Sequence, residues 1–246
     1  MADMNGKLVV LTGGSLGLGR AVAQAFSDAG ARLILVGRNA AKLDKAVAEL
    51  GPDRHLSLTG DVADSAVAQQ AFELAQAHGG ADYLINNAGI FPQSLLADTT
   101  DEEAASVMQV NFFGTFYFCR AFVPAMIEKG GGSVVNIGSI AGREPTPGVA
   151  IYSASKGAVE AFTRSIAIEA GPHVRINCVA PGPVMTEGIA EMFADDDTGA
   201  LAQVSNGVPL GRIGEAHEIA EAVLYMANAT WVTGQTLHVN GGRLMA

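Results

Sequence analysis

Short apolar runs alternate with longer amphipathic segments along almost the whole chain, and this alternation constrains the fold more than any other feature. Most of the runs are continuously apolar, as expected for strands that are covered on both faces of a sheet. The predicted strands are 7–12, 32–37, 55–59, 83–86, 133–137, 175–180 and 236–239. The predicted helices are 17–29, 40–50, 64–78, 100–128, 152–170 and 217–226.

Strands and helices that alternate in this way form a parallel sheet with right-handed crossovers. The sequence therefore predicts a single α/β domain over residues 1–246. Its core is one doubly wound, Rossmann-like parallel sheet of about seven strands with helices on both faces.

The segment 183–211 interrupts this rhythm, because it has no strand pattern and includes the acidic run 195–197. It could be a disordered linker. We favour an inserted helical lid over a substrate, since long loops in compact domains are usually functional or disordered and this one has an apolar side. That side consists of Ile189, Met192, Phe193, Leu201 and Val204.

Composition argues against several classes of function. The 246 residues are 49% hydrophobic and carry a net charge of -10, so we expect no nucleic-acid partner, which would require an excess of Lys and Arg. Cys119 and Cys178 lie in apolar runs and are expected to be buried thiols. No signal peptide or membrane span is expected, which predicts a soluble cytoplasmic protein. No metal ligands are among the predicted site residues.

A glycine-rich turn, T-G-G-S-L-G-L-G, runs from Thr12 to Gly19 at the end of the first predicted strand. Glycines there let the backbone approach a pyrophosphate, and the following helix offers free N–H groups and a favourable dipole. Glycines also serve ordinary turns. The strand before this turn and the helix after it favour a dinucleotide site.

The tip of the second strand indicates which dinucleotide is bound. An NAD site usually has an acidic residue there for the ribose 2′-hydroxyl, whereas this chain has Arg38. A guanidinium suits the 2′-phosphate of NADP, because it forms paired charge-assisted hydrogen bonds. We therefore predict NADP(H), with NAD(H) less favoured; the alternative for Arg38 is an exposed turn residue.

Two further strand ends carry candidate cofactor contacts. Asp61 and Val62 follow the third strand, where Asp61 could bind the adenine edge or act as a helix N-cap. Asn87, Ala88 and Gly89 end the fourth strand, where small residues and amides suit either a ligand crevice or a simple turn.

The candidate chemical groups lie near the start of a long predicted helix. The i, i+4 spacing of Tyr152 and Lys156 places them on one helix face, where an ammonium would lower the pKa of the phenol for acid–base catalysis. Such a pair alone is usually a surface pair. Ser139 ends the fifth strand and could hold a substrate oxygen, or could be a turn serine. Asn111 lies in an apolar helix, where it must find a partner.

These motifs, in this order and over the whole chain, resemble the short-chain dehydrogenase/reductase family, and its 3-oxoacyl-carrier-protein reductase-like members in particular. The spacing of 13 residues between Ser139 and Tyr152 also fits. The motifs that carry the resemblance are T-G-x-x-x-G-x-G at 12–19, N-N-A-G at 86–89, Asn111, Ser139, Tyr152-x-x-x-Lys156 and Pro181-Gly182.

The resemblance implies a role for each residue. Tyr152 would be the proton donor or acceptor, Lys156 would bind the nicotinamide ribose and lower the tyrosine pKa, Ser139 would orient the carbonyl, and Asn111 would hold a water that links Lys156 to solvent. The family usually forms tetramers through the two long helices that contain Asn111 and Lys156, so a homotetramer is expected. The implied cofactor contacts are Gly13, Ser15, Leu16, Gly17, Leu18, Gly19, Arg38, Asp61, Val62, Asn87, Ala88, Gly89, Tyr152, Lys156, Pro181, Gly182, Val184 and Thr186.

The resemblance implies hydride transfer to or from a carbonyl or alcohol carbon, but it constrains the substrate less than the reaction. The residues expected to face it are mostly apolar, which predicts a medium-sized apolar ketone. An alternative is a 3-oxoacyl-carrier-protein reductase, which would dock an acidic carrier on Lys129 and Arg175. A non-catalytic NADP-binding protein is the alternative from another class. The residues expected to face the substrate are Phe91, Ile140, Arg143, Glu144, Val149, Met185, Ile189 and Met192.

Overall fold

The computed structural model describes residues 3–192 and 199–245. Its strands are β1 Leu8–Thr12, β2 Arg32–Gly37, β3 Leu56–Thr59, β4 Tyr83–Asn86, β5 Gly132–Ile137, β6 Val174–Pro181, β7 Val184–Met185, β8 Gly214–Glu215 and β9 Thr236–Val239. Seven of them form one parallel sheet in the order β3-β2-β1-β4-β5-β6-β9. The predicted doubly wound sheet is confirmed. The short strands β7 and β8 pair separately, and the sequence did not predict them.

Helices cover both faces of this sheet. They are α1 Gly17–Asp28, α2 Ala40–Leu50, α3 Ser65–Ala77, α4 Asp101–Met108, α5 Gly114–Lys129, α6 Ala150–Ala170, α7 Glu187–Met192, α8 Ala200–Asn206 and α9 Ala216–Asn228. Successive strand side chains point to opposite faces. Val9 and Leu11 pack with α1 and α9, while Leu8 and Val10 pack with α3 and α5, so β1 is buried on both sides.

The strand order reverses between β1 and β4. From β1 the chain builds outward through β2 to β3, and from β4 it builds the other way through β5 and β6 to β9. In a parallel sheet, the loops that leave such a switch point diverge and open a crevice at the carboxyl ends of the strands. The fold therefore places the glycine-rich turn, the end of β4 and the end of β5 around one cleft.

The helix predicted over 100–128 is not regular. A π-helical turn, Gln109–Phe113, separates α4 from α5. By length and composition alone the continuous helix Asp101–Lys129 could cross a membrane, with a mean hydropathy of 1.3 in its most apolar window. This corrects the expectation that no segment has those properties. Buried core helices share them, and Phe118 and Phe122 of this helix are buried in the core beside the sheet.

The segment 183–211, called the lid segment below, contains β7, α7 and α8, so its described part is largely helical. That it closes over a substrate stays a prediction. Ile189 and Val204 line the cleft. Phe193 and the acidic run 195–197 lie outside the described residues, as does the side chain of Met192.

Candidate active site

The carboxyl ends of the central strands enclose a cleft of about 800 Å³. Sixteen of the residues predicted for the cofactor and the chemistry line this cleft on the cofactor side or at its inner end, and Val184 and Thr186 join them from the lid segment. The sixteen are Gly13, Ser15, Leu16, Leu18, Gly19, Arg38, Asp61, Val62, Asn87, Ala88, Gly89, Ser139, Tyr152, Lys156, Pro181 and Gly182. Gly17 and Asn111, also predicted, lie outside the lining.

The glycine-rich turn is held tightly against the end of β4. The Asn87 side chain donates to the carbonyl oxygens of Thr12 and Gly13 at 3.0 and 3.1 Å, and the Thr12 hydroxyl accepts from the Asn87 and Ala88 backbone. Gly13 has φ of +69°, and a Cβ there would lie 2.9 Å from the Ala88 Cα. A Cβ on Gly19 would collide with the Gly13 carbonyl oxygen. Only glycine fits both positions.

The start of α1 suits an anion. Its N-cap position is Leu16, whose apolar side chain offers no acceptor to the first N–H groups of the helix. These groups and the helix dipole would attract the pyrophosphate of a dinucleotide. The residues present therefore fit a nicotinamide dinucleotide.

Gly17 contacts the lid segment rather than the open cleft. Its N–H donates to a carboxylate oxygen of Glu187 at 2.9 Å, and Thr186 lies directly beside it. The start of α7 is thus joined to the start of α1. Glu187 was not predicted, because the contact spans 170 positions of sequence.

Two cations, Arg38 and Lys42, line the part of the cleft beyond β2, where the adenosine ribose of a dinucleotide would lie. Arg38 is exposed, and its guanidinium lies 3.9 Å from the Asp61 carboxylate; the other oxygen of that carboxylate accepts from the Ala63 N–H at 2.9 Å. Asn39 caps α2 by accepting from the Lys42 N–H at 3.0 Å. Lys42 also lines the cleft. Lys42 was not among the predicted cofactor contacts, although a lysine in the first turn of the helix after β2 was a usable signal.

Tyr152 and Lys156 project from α6 into the inner end of the cleft. The Lys156 side chain is buried, and its Nζ donates to the Ile137 carbonyl oxygen at 2.9 Å and lies 5.7 Å from the centre of the Tyr152 ring. Burial lowers the pKa of Lys156 to about 8, against a smaller opposing effect of Cys178. Below that pH the ammonium form predominates.

The pKa of Tyr152 shifts in the direction opposite to the one predicted. Burial raises it, and the hydrogen bond with Ser139 opposes this only in part. The expected lowering by Lys156 is not what the site shows, because a phenolate in an apolar wall is poorly solvated. Phe91 supplies part of that wall, with its ring edge-on to Tyr152 at 4.6 Å. At neutral pH Tyr152 is therefore a protonated phenol.

Ser139 lies between the end of β5 and the short 3₁₀ turn Ile140–Gly142. Its hydroxyl oxygen accepts from the Ala141 N–H at 3.2 Å, and the side chain lies close enough to Tyr152 to lower the pKa of the phenol in part. The two hydroxyls therefore face the same part of the cleft. This is the arrangement needed to hold a carbonyl oxygen from two sides.

Asn111 lies in the π-helical turn, behind the lining of the cleft. Its amide oxygen accepts from the Ile90 N–H at 2.8 Å, and its amide nitrogen donates to the Ile90 carbonyl oxygen at 3.0 Å and to Ser155 at 3.1 Å. The side chain therefore joins the loop after β4 to α6. A role in a water relay stays a prediction.

The residues that line the substrate end of the cleft differ in part from those expected to face the substrate. Phe91, Ile140, Glu144, Val149 and Ile189 line it, but Met185 does not. Arg143 instead pairs with the buried carboxylate of Glu160 at 3.0 Å, because a buried charge needs a partner. The polar lining residues that the sequence analysis missed are Gln93, Thr146 and Arg243.

Comparisons with known proteins agree with this geometry. A family model described as enoyl-(acyl carrier protein) reductase matches residues 13–243. The chain is 38% identical over 238 residues to the human protein named 3-oxoacyl-[acyl-carrier-protein] reductase, covering 96% of this chain and 97% of the relative. It is 39% identical over 244 residues to galactitol 2-dehydrogenase (L-tagatose-forming) from Cereibacter sphaeroides, covering 97% of this chain and 95% of the relative.

Solved structures with closely similar folds carry names of the same kind. A short-chain dehydrogenase/reductase from Brucella melitensis, titled glucose/ribitol dehydrogenase, superimposes with a TM-score of 0.94 at 33% identity, covering 100% of both chains. A 3-oxoacyl-[acyl-carrier protein] reductase from the same species gives 0.92 at 32%, covering 99% of this chain and 93% of that one. On its motifs, its fold and these relatives, the chain belongs to the short-chain dehydrogenase/reductase family of oxidoreductases.

Proposed function

We propose that this protein is an NADP(H)-dependent oxidoreductase that transfers a hydride between the nicotinamide and a carbonyl or secondary-alcohol carbon. The observation that carries the proposal is that Ser139, Tyr152 and the buried Lys156 line the same end of a dinucleotide cleft, with Lys156 fixed on the Ile137 carbonyl oxygen. The names of the relatives support the reaction class.

In reduction, the substrate carbonyl oxygen would lie between Ser139 and Tyr152 and accept a hydrogen bond from each hydroxyl. A nicotinamide, when bound, supplies a hydride to the carbonyl carbon. As negative charge develops on the oxygen, Tyr152 transfers its phenolic proton to it and Ser139 stabilises it. The raised pKa of Tyr152 keeps that proton in place at neutral pH. Oxidation of an alcohol reverses these steps.

Lys156, one helical turn after Tyr152 on α6, would bind the cofactor and support the proton transfer. Its ammonium already donates to the Ile137 carbonyl oxygen, and its remaining N–H groups could donate to the nicotinamide ribose. A cation at this point also stabilises charge that appears on Tyr152 after proton transfer. Below pH about 8 the amine is protonated, so this contribution belongs to the neutral range.

The preference for NADP(H) rests on Arg38 and Lys42, which both line the cleft beyond β2. Two cations favour a 2′-phosphate over a 2′-hydroxyl. The Asp61 carboxylate, 3.9 Å from Arg38, would share the guanidinium with the phosphate. NAD(H) is the less favoured cofactor.

A second candidate is a 3-oxoacyl-carrier-protein reductase, which the name of the human relative favours. The two cations predicted to dock the carrier do not support it. Lys129 pairs with Asp82 at 3.0 Å, and Arg175 donates to carbonyl oxygens at the end of α9. Both lie near the amino-terminal ends of the strands, whereas the cleft lies at the carboxyl ends. A non-catalytic NADP-binding role is disfavoured by the arrangement of Ser139, Tyr152 and Lys156.

Parallel fluorescence titrations with NADPH and NADH test the cofactor assignment. We expect NADPH to bind much more tightly, and Arg38→Ala to weaken NADPH binding far more than NADH binding. Lys45→Ala removes an exposed cation of the same region, outside the lining, and should change neither. Equal losses for both dinucleotides in Arg38→Ala would contradict the assignment.

A further inference from the structure

The lining of the cleft contains a charged pair. Arg243 Nε lies 2.9 and 3.1 Å from the two carboxylate oxygens of Glu144, and both residues line the cleft. Their side chains are 24% and 22% exposed, so the pair is largely shielded from water while it still faces the cavity. This contact uses one of the five N–H donors of the guanidinium.

Both members of the pair are held by local structure. Glu144 follows the 3₁₀ turn after Ser139, and its N–H donates to the Ile140 carbonyl oxygen at 2.7 Å. The tail is folded at Asn240, whose side chain donates to the Leu244 carbonyl oxygen at 2.9 Å and accepts from the Gly242 N–H at 2.9 Å. The pair is therefore a fixed feature of the wall.

Other polar side chains extend this wall. Gln93 and Thr146 line the same cleft, and their loops are joined where the Ser94 N–H donates to the Gly148 carbonyl oxygen at 2.9 Å. The apolar part of the lining includes Val149 and also Phe91, whose ring contacts Tyr152. The lining thus offers both apolar surface and hydrogen-bond donors and acceptors to a substrate.

This polarity discriminates between kinds of substrate. An unbranched apolar chain would cover the Glu144–Arg243 pair without replacing the hydrogen bonds that water gives it, which is unfavourable. A carboxylate on the substrate would compete with Glu144 for Arg243, whose charge Glu144 already neutralises. A neutral hydroxyl group can both donate to Glu144 and accept from Arg243.

We propose that the Glu144–Arg243 pair makes this enzyme select polyhydroxylated substrates, in which uncharged hydroxyl groups flank the reacting carbonyl or carbinol carbon, rather than the medium-sized apolar ketone expected from the sequence. This rests on the proposed oxidoreductase function and adds the chemical class of its substrate. Glu144 and Arg243 are specificity-determining residues, and Ser139 and Tyr152 keep the chemistry.

A set of six-carbon probes tests the proposal. Sorbitol, 2-hexanol and 5-hydroxyhexanoate are offered with NADP⁺, and fructose, 2-hexanone and 5-oxohexanoate with NADPH, to the full-length enzyme. We expect kcat/KM to be highest for the hydroxylated, uncharged member in each direction. Glu144→Gln and Arg243→Met should each lower that kcat/KM by about tenfold to a hundredfold, mainly through KM.

The comparison substrates and a control variant separate recognition from stability. In both variants kcat/KM for 2-hexanone should stay within about threefold of wild type or rise, since the pair offers that chain nothing. Arg212→Gln breaks an exposed Arg–Glu pair whose members are outside the lining and should leave all the probes unaffected.

Three results would overturn the proposal. Preference for the alkyl or the carboxylate probes would refute the substrate class and leave the oxidoreductase function standing. Equal losses of kcat/KM for sorbitol and 2-hexanone in both variants would show that the pair only stabilises the wall of the cleft. Absence of turnover with every probe, despite NADPH binding, would refute both the inference and the proposed function.

Discussion

A lysine as deeply buried as Lys156 destabilises the fold that contains it. Burial lowers its pKa from 10.5 to about 8, which corresponds to about 3 kcal/mol of unfolding free energy. Below pH 8 both the folded and the unfolded chain carry the proton, so the whole penalty applies. Between pH 8 and 10.5 the unfolded chain binds the proton that the folded chain has lost, and stability rises with pH.

Replacing this lysine should therefore stabilise the protein. We expect Lys156→Met to raise the unfolding free energy by about 1–3 kcal/mol at pH 7 without cofactor, and the gain to shrink towards pH 10.5. Urea unfolding at several pH values measures this. Lys45→Met, at a side chain that is 78% exposed, is the control and should have little effect. A loss of stability at pH 7 in Lys156→Met would contradict the account.

At this scale the sequence predicted which residues line the cleft better than it predicted the pKa values of their side chains. Tyr152 and Lys156 were placed by their helical spacing, and Ser139 by its position at a strand end. The pKa direction of Tyr152 was wrong, because burial depends on Phe91 and other residues that are distant in sequence. Arg243 was missed for the same reason, since only the folded tail brings it to Glu144.

At the scale of elements, the contact between α1 and α7 bears directly on cofactor binding. The Glu187 carboxylate occupies a donor at the start of α1, where the pyrophosphate of the cofactor would also bind. Two anions at one helix N-terminus repel each other. The glutamate charge should therefore oppose binding, although the contact keeps the lid segment close to the turn.

Removal of that charge should tighten cofactor binding. We expect Glu187→Gln to lower the Kd for NADPH by roughly twofold to tenfold at low ionic strength, and the gain to fall as salt is added. Titration at two salt concentrations measures it. Glu191→Gln removes an exposed charge from the same helix and should have a smaller effect. Weaker NADPH binding in Glu187→Gln would mean that the Glu187 charge instead helps the segment 183–211 to close over the cofactor.

Most elements were predictable because each buried strand is a short continuous apolar run and each helix carries an amphipathic pattern. The π-helical turn at Gln109–Phe113 was not, since its local pattern matches that of a regular helix. It coincides with Asn111, whose amide binds Ile90, a partner that only tertiary structure supplies. The pairing of β7 with β8 was missed because two-residue strands have no readable pattern.

At the scale of the whole molecule, an aromatic surface on the π-helical turn Gln109–Phe113, α5 and α6 is consistent with assembly. Phe112 and Phe116 both contact Phe162 edge-on, and Phe113 is 39% exposed. A homotetramer formed through these helices is our proposal, in line with the family resemblance. Association would bury apolar area that a monomer leaves in water.

Light scattering after size-exclusion chromatography tests this assembly. We expect the mass of four chains for the wild type and for Phe113→Leu, and a smaller species for a Phe113→Asp, Phe116→Asp double variant, because a carboxylate cannot be buried there without a partner. A monomeric wild type, or a double variant that stays tetrameric, would contradict the proposal.

The most direct test of the account is the rate of NADPH oxidation by wild type and Tyr152→Phe with the carbonyl probes, together with the Kd of each protein for NADPH. Loss of the phenolic proton should lower turnover by at least about a hundredfold. NADPH binding should stay within about twofold, because the ring and the glycine-rich turn are unchanged. Turnover of Tyr152→Phe within tenfold of wild type would contradict the assignment of Tyr152 as the proton donor, and with it the proposed mechanism.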